Sequence, residues 1–111
     1  MEPISGYSEH VTAVVTGWSG VRAGVGQRGE WAFKVGGREL GHLHGDHVAH
    51  FAFPRTIWEE LYAAGRITHH PIFPEKVGWA ERRMDDDDDV RDVVAILRYN
   101  YERAIAQQRA H

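Results

Sequence analysis

Hydrophobic and polar positions along the chain change period several times, and each change marks an element. Val11, Val14, Val15 and Trp18 recur at helical spacing behind the Ser8-Glu9 pair, which predicts a short N-terminal helix ended by Gly17 and the "WSG" at 18–20. The period then drops to two. "GVRAGVG" at 20–26 is a short strand candidate. Trp31, Phe33 and Val35 then alternate with Glu30, Ala32 and Lys34, as in a half-buried strand. Gly36-Gly37 reads as a hairpin turn, so "RELGHLH" at 38–44 is the next strand. "HVAHFAF" at 47–53 follows it after a Gly45-Asp46 turn. Pro54 and Gly65 bound a helix with Ile57, Trp58, Leu61 and Tyr62 on one face. "RITHHPIFPEK" at 66–76 contains two prolines and reads as extended chain or loop, and "VGWAERRM" at 77–84 reads as a last strand. Val90, Val93, Val94, Leu97, Tyr101 and Ile105 trace the apolar stripe of a final helix.

The predicted order is therefore α-β-β-β-β-α-β-α. Sequential strands joined by tight turns must be antiparallel, so the expected fold is α+β: an antiparallel sheet of about five strands with helices packed on one face. With 111 residues and a hydrophobic fraction of 42%, one globular domain over 1–111 is expected. The absence of cysteine excludes disulfides and thiolate metal ligands. A formal charge of −3 argues against nucleic acid as a partner. Arg22, Arg28, Lys34 and Arg38 do lie near the aromatic "WAF", but Trp31 and Phe33 fall on the face opposite Lys34, where a core would be. No apolar run approaches the roughly 20 residues of a membrane span, and the N-terminus lacks the basic and apolar regions of a signal peptide. The expectation is a cytoplasmic protein with no membrane partner.

Candidate chemistry concentrates in "GHLHGDHVAH" at 41–50, four histidines in ten residues. Residues two apart share a strand face, so His42 and His44 stand side by side, and strict alternation adds Leu40 to that face. Two imidazoles so placed suit a divalent transition metal, since Zn, Ni, Cu, Fe and Mn all accept such nitrogens at about 2.0–2.2 Å. His50 or His47 could supply a third ligand across the hairpin, or the His69-His70 pair could close over it; on extended chain only one of that pair can point to a given side. The alternative is that these histidines simply bond backbone or water.

Other motifs are weaker. The spacing before His42 imitates the start of a cupin metal motif, but Val48 and Ala49 stand where a glutamate is wanted, and no second motif follows. The five aspartates at 85–89 lack the glycine and alternating ligands of an EF-hand and are expected to cap the last helix. No G-x-S-x-G elbow or phosphate-cradling glycine loop is present.

The motifs "GRELGHLHGD" at 37–46, "FAFP" at 51–54, "HHPIFPEKVGW" at 69–79 and "AILRYNYERA" at 95–104 resemble the small bacterial luciferase-domain family. The resemblance covers about two thirds of the chain and implies no known activity, because none is known for the family's small members. The name itself implies an oxygenase. Two positions depart from the family pattern: His50 stands where an acidic residue is usual, and "EKVGW" replaces a "DSGW"-like turn. In architecture alone the chain is also similar to the MmcQ/YjbR-type α+β family.

The residues and the resemblance together lead to the expectation of a small-ligand-binding module. Its site would hold His42, His44, Asp46, His69, His70 and Trp79, with His42, His44 and His50 as the metal set. The alternative is a small enzyme using histidine acid–base chemistry, with or without a bound metal.

Overall fold

The computed structural model describes residues 2–71 and 78–110. Helix α1 spans Tyr7–Val15, followed by strands β1 Val21–Val25, β2 Trp31–Val35, β3 Arg38–His44 and β4 Val48–Ala52. Helix α2 spans Arg55–Ala63, strands β5 and β6 are Thr68–His69 and Trp79–Arg83, and helix α3 closes the chain at Asp87–Arg109. The strands form one sheet in the order β1-β2-β3-β4-β6-β5, and every neighbouring pair is antiparallel. The α+β class is as expected, but the sheet has six strands rather than about five. The extra one, β5, is two residues long, too short to show an alternating pattern, and it falls in the stretch read as extended chain. Residues 72–77, which carry most of "HHPIFPEKVGW" and the first residue of the strand expected at 77–84, lie outside the described residues.

The helices cover one face of the sheet and bury a continuous apolar cluster against it. Phe33, Leu43 and Phe51 reach it from the strands, Val11 and Val15 from α1, Trp58 from α2, and Val93, Ile96 and Leu97 from α3. Gly36 and Gly37 both have positive φ (56° and 79°), the two-residue turn whose twist matches paired strands. The aspartate run does cap α3: the Asp86 carboxylate accepts the Asp89 N–H at 2.8 Å, and the Asp89 carboxylate accepts the Asp85 N–H at 2.8 Å and pairs with Arg82 at 2.7 Å. The Asp85 N–H, and then Arg82, hold the Asp89 carboxyl below its ordinary range.

One irregularity in β3 decides what each face of the sheet carries. Phe33 pairs with Gly41 and Lys34 with Glu39, so Leu40 is an extra residue, a β-bulge. The bulge shifts the phase of alternation by one. Leu40 joins Gly41 and Leu43 on the helix side and is 2% exposed, and Glu39 turns to the face that holds His42. The expectation that Leu40 lies beside His42 and His44 is corrected accordingly. A bulge residue loses its place in the ladder, and its carbonyl needs another donor. Buried Asn100 of α3 supplies it, donating from Nδ2 to the Leu40 oxygen at 2.9 Å, while its own Oδ1 accepts from Arg103 at 3.0 Å. Beside the bulge, α3 and β4 press close: a Cβ on Gly41 would lie 2.9 Å from both Leu97 Cδ2 and Phe51 Cδ1.

Replacing Asn100 by leucine keeps the volume and removes the donor, leaving the Leu40 carbonyl buried and unsatisfied. The expected cost is about 1–3 kcal/mol, read as a lower urea midpoint with an unchanged slope. An unchanged midpoint would mean that the bulge holds without its cap.

Candidate functional site

Strand register alone gathers the polar residues on the uncovered face. His42 pairs across to His50, and His50 pairs across to Glu81, so all three project to the same side, with His44 two residues along from His42. His42 and His44 have ring centroids 5.0 Å apart, His42 and His50 5.3 Å, and His44 and His50 4.6 Å. One ring nitrogen from each of these three lies within 4.8 Å of the others. His70, just past the end of β5, adds a fourth ring 4.4 Å from His50, with Trp79 edge-on to it at 5.4 Å. These side chains line an open concavity with a volume of about 580 Å³.

Two carboxylates fix how the imidazoles present themselves. Glu81 Oε1 lies 3.0 Å from His50 Nε2, and Glu39 Oε2 lies 3.0 Å from His42 Nδ1. An ionised carboxylate only accepts hydrogen bonds, so the ring nitrogen facing it carries the proton. His50 therefore keeps a lone pair on Nδ1, and His42 keeps one on Nε2. The His50 ring is 7% exposed, and its Nδ1 is buried with no hydrogen-bond partner among the described residues. Leaving such a group unsatisfied costs about 1–3 kcal/mol, and a ligand would relieve it. Burial pushes His50 below the ordinary histidine pKa, against the pull of Glu81, and His70, His44 and His42 add to the depression. His70 is also pushed down, again chiefly by burial. Both rings are thereby biased to the neutral form that can donate a lone pair.

The turn between β1 and β2 forms the rim. Glu30 accepts the Arg28 N–H at 3.0 Å, with its carboxylate lying over Gly26. The Arg28 N–H, together with Glu30's own amide, lowers the Glu30 pKa. Arg28 itself lines the concavity.

Not every expected residue arrives. Of the candidates, His42, His44, His50, His70 and Trp79 line the concavity. Asp46 does not: it lies in the β3–β4 turn and accepts the Ser8 N–H at 3.0 Å, capping α1, whose N-cap Gly6 has no side chain to do so. His69 goes to the opposite side of the sheet, 5.0 Å from the Trp58 ring and 5.1 Å from Tyr62. The adjacent pair is split as extended backbone requires, one ring to α2 and one to the cavity. His47 bonds the Met84 carbonyl at 2.9 Å and stays outside. Sequence reasoning missed Glu39 and Glu81. The first was hidden by the bulge, and the second by a pairing between strands that are not consecutive.

Among the described residues, no helix is long and apolar enough to cross a membrane. Comparison with curated proteins and with solved structures finds no match. The family model described as the Luciferase domain matches residues 37–100, a segment that carries β3, β4, α2, β5, β6, most of α3 and the whole histidine cluster. Since that match spans more than half of the 111 residues, the chain belongs to the luciferase-domain family.

Proposed function

We propose that this luciferase-domain chain is a ligand-binding module whose concave histidine face holds a divalent transition metal through His42, His44 and His50. The observation that carries this reading is the pairing of carboxylates with ring N–H groups, which leaves the opposite nitrogens of His42 and His50 as lone-pair donors. Metal-ligating histidines characteristically donate their other N–H to a carboxylate in this manner. The three ring nitrogens, within 4.8 Å of one another, would draw in to the roughly 3.4 Å separations of a tetrahedral site with metal–nitrogen bonds of about 2.0–2.1 Å. The orphaned His50 Nδ1 fits the same role. With three protein ligands, one position stays open for a ligand.

A second reading rests on one separate observation. Burial keeps His50 neutral, and Glu81 orients it, which also suits a general base acting without a metal. Metal uptake separates the two. Untagged protein purified without immobilised-metal chromatography, stripped with a chelator and titrated calorimetrically with Zn²⁺, Ni²⁺ or Co²⁺, is expected to take up one equivalent. The His42→Ala/His44→Ala double variant is expected to take up none. A wild-type chain that ignores all three ions would leave the general-base reading.

Glu39→Ala and Glu81→Ala are each expected to weaken metal affinity by about 10–100-fold without removing a ligand. Wild-type affinity in both variants would remove the carboxylates from the site. Acid should also unsettle the metal-free fold. His50 and His70 titrate in the folded chain below the ordinary value of 6.5, so folded protein binds fewer protons than unfolded protein just below that value. Their contribution to stability is fully present above 6.5 and is lost as pH falls through the depressed folded values. The urea midpoint of the stripped chain is expected to drop as pH is lowered below about 6.5, and His50→Gln should flatten that drop.

A further inference from the structure

The concavity is much larger than an ion needs. Its volume of about 580 Å³ compares with about 30 Å³ for one water in the liquid, so there is room for an organic molecule beside a metal. Its walls are specific. Trp79, 38% exposed, puts an aromatic ring in the lining, and half-buried Val48 adds an aliphatic side chain. Arg28 stands at the rim, its guanidinium in no ion pair among the described residues, yet near enough for its charge to bear on His70. Glu30 and Glu81 also line the concavity, so a divalent ion together with Arg28 would set three positive charges against two negative ones and leave one positive charge for an anionic ligand to answer.

Resting on the metal reading above, we infer that the module binds a small planar organic carboxylate. Its carboxylate is shared between the metal's open position and the Arg28 guanidinium, and its unsaturated body lies against Trp79 and Val48. A guanidinium presents paired N–H donors that match a carboxylate. A phosphate group fits less well, because no second arginine or lysine lines the concavity among the described residues and the apolar walls would lie against its charged oxygens.

The test uses the Co²⁺-loaded chain, with benzoate as probe and benzamide and inorganic phosphate as comparisons. Benzoate is expected to shift the visible Co²⁺ absorption and quench tryptophan fluorescence, both saturably and at the same concentration. Benzamide is expected to do neither. Arg28→Gln should weaken benzoate binding about tenfold while the chain still takes up one equivalent of Co²⁺, and Trp79→Leu should abolish the fluorescence response. Phosphate binding in place of benzoate, equal response to benzamide, no response at all, or full benzoate affinity in Arg28→Gln would each overturn the carboxylate assignment while leaving the metal site standing. Failure to take up Co²⁺ would overturn both.

Discussion

The site depends on the β-bulge at Leu40, whose carbonyl Asn100 caps from α3. A strand has only two faces, and one extra residue exchanges them for everything on one side of it. With the bulge, β3 sends Leu40, Gly41 and Leu43 towards α3 while Glu39, His42 and His44 share the other face. With strict alternation Leu40 would sit beside His42, and Glu39 would point into the helix layer as a carboxylate in an apolar core. The helix that buries the core thus also sets the chemistry of the face it never touches. Burial and site geometry are two outcomes of the same register shift.

The division of labour between the faces follows from covering a sheet on one side. An antiparallel sheet with helices on one face puts its hydrophobic requirement there and leaves the other face free for polar residues. In this chain the free face is not simply solvated. His50 and His70 are buried by their neighbours on β3 and β6 and by Trp79, and that burial keeps imidazoles uncharged where exposed ones would titrate. Glu81 works against burial at His50, while burial keeps that ring below its ordinary pKa, and Glu39 orients the His42 ring through its Nδ1. A charged cluster would repel itself; a neutral one can converge.

Much of this was legible in the chain. The Gly36-Gly37 turn, the alternation around Trp31 and the stripe ending in Ile105 each predicted an element that formed, and the final helix starts within the aspartates that cap it. The histidine set His42, His44 and His50 follows from period two plus a tight hairpin, both local properties. What was not legible is non-local. Glu81 reaches His50 because β6 inserts beside β4, a neighbour relation that no spacing reports. Glu39 reaches His42 only through a bulge whose partner, Asn100, lies 60 residues away. Asp46 was drawn into the site by its nearness in sequence to the histidines, while its carboxylate answers the bare N-terminus of α1.

The split of His69 and His70 joins helix α2 to the wall of the cavity. On a strand end two residues long, one ring rests on the Trp58 and Tyr62 pair of α2 and the next rests on His50. With opposite rings on one short backbone, the dipeptide touches α2 on one side and the cavity wall on the other. Helix α2 thus packs against the same backbone that walls the cavity, and the Trp58 indole N–H, donated to the Trp79 carbonyl at 2.9 Å, ties the two a second time.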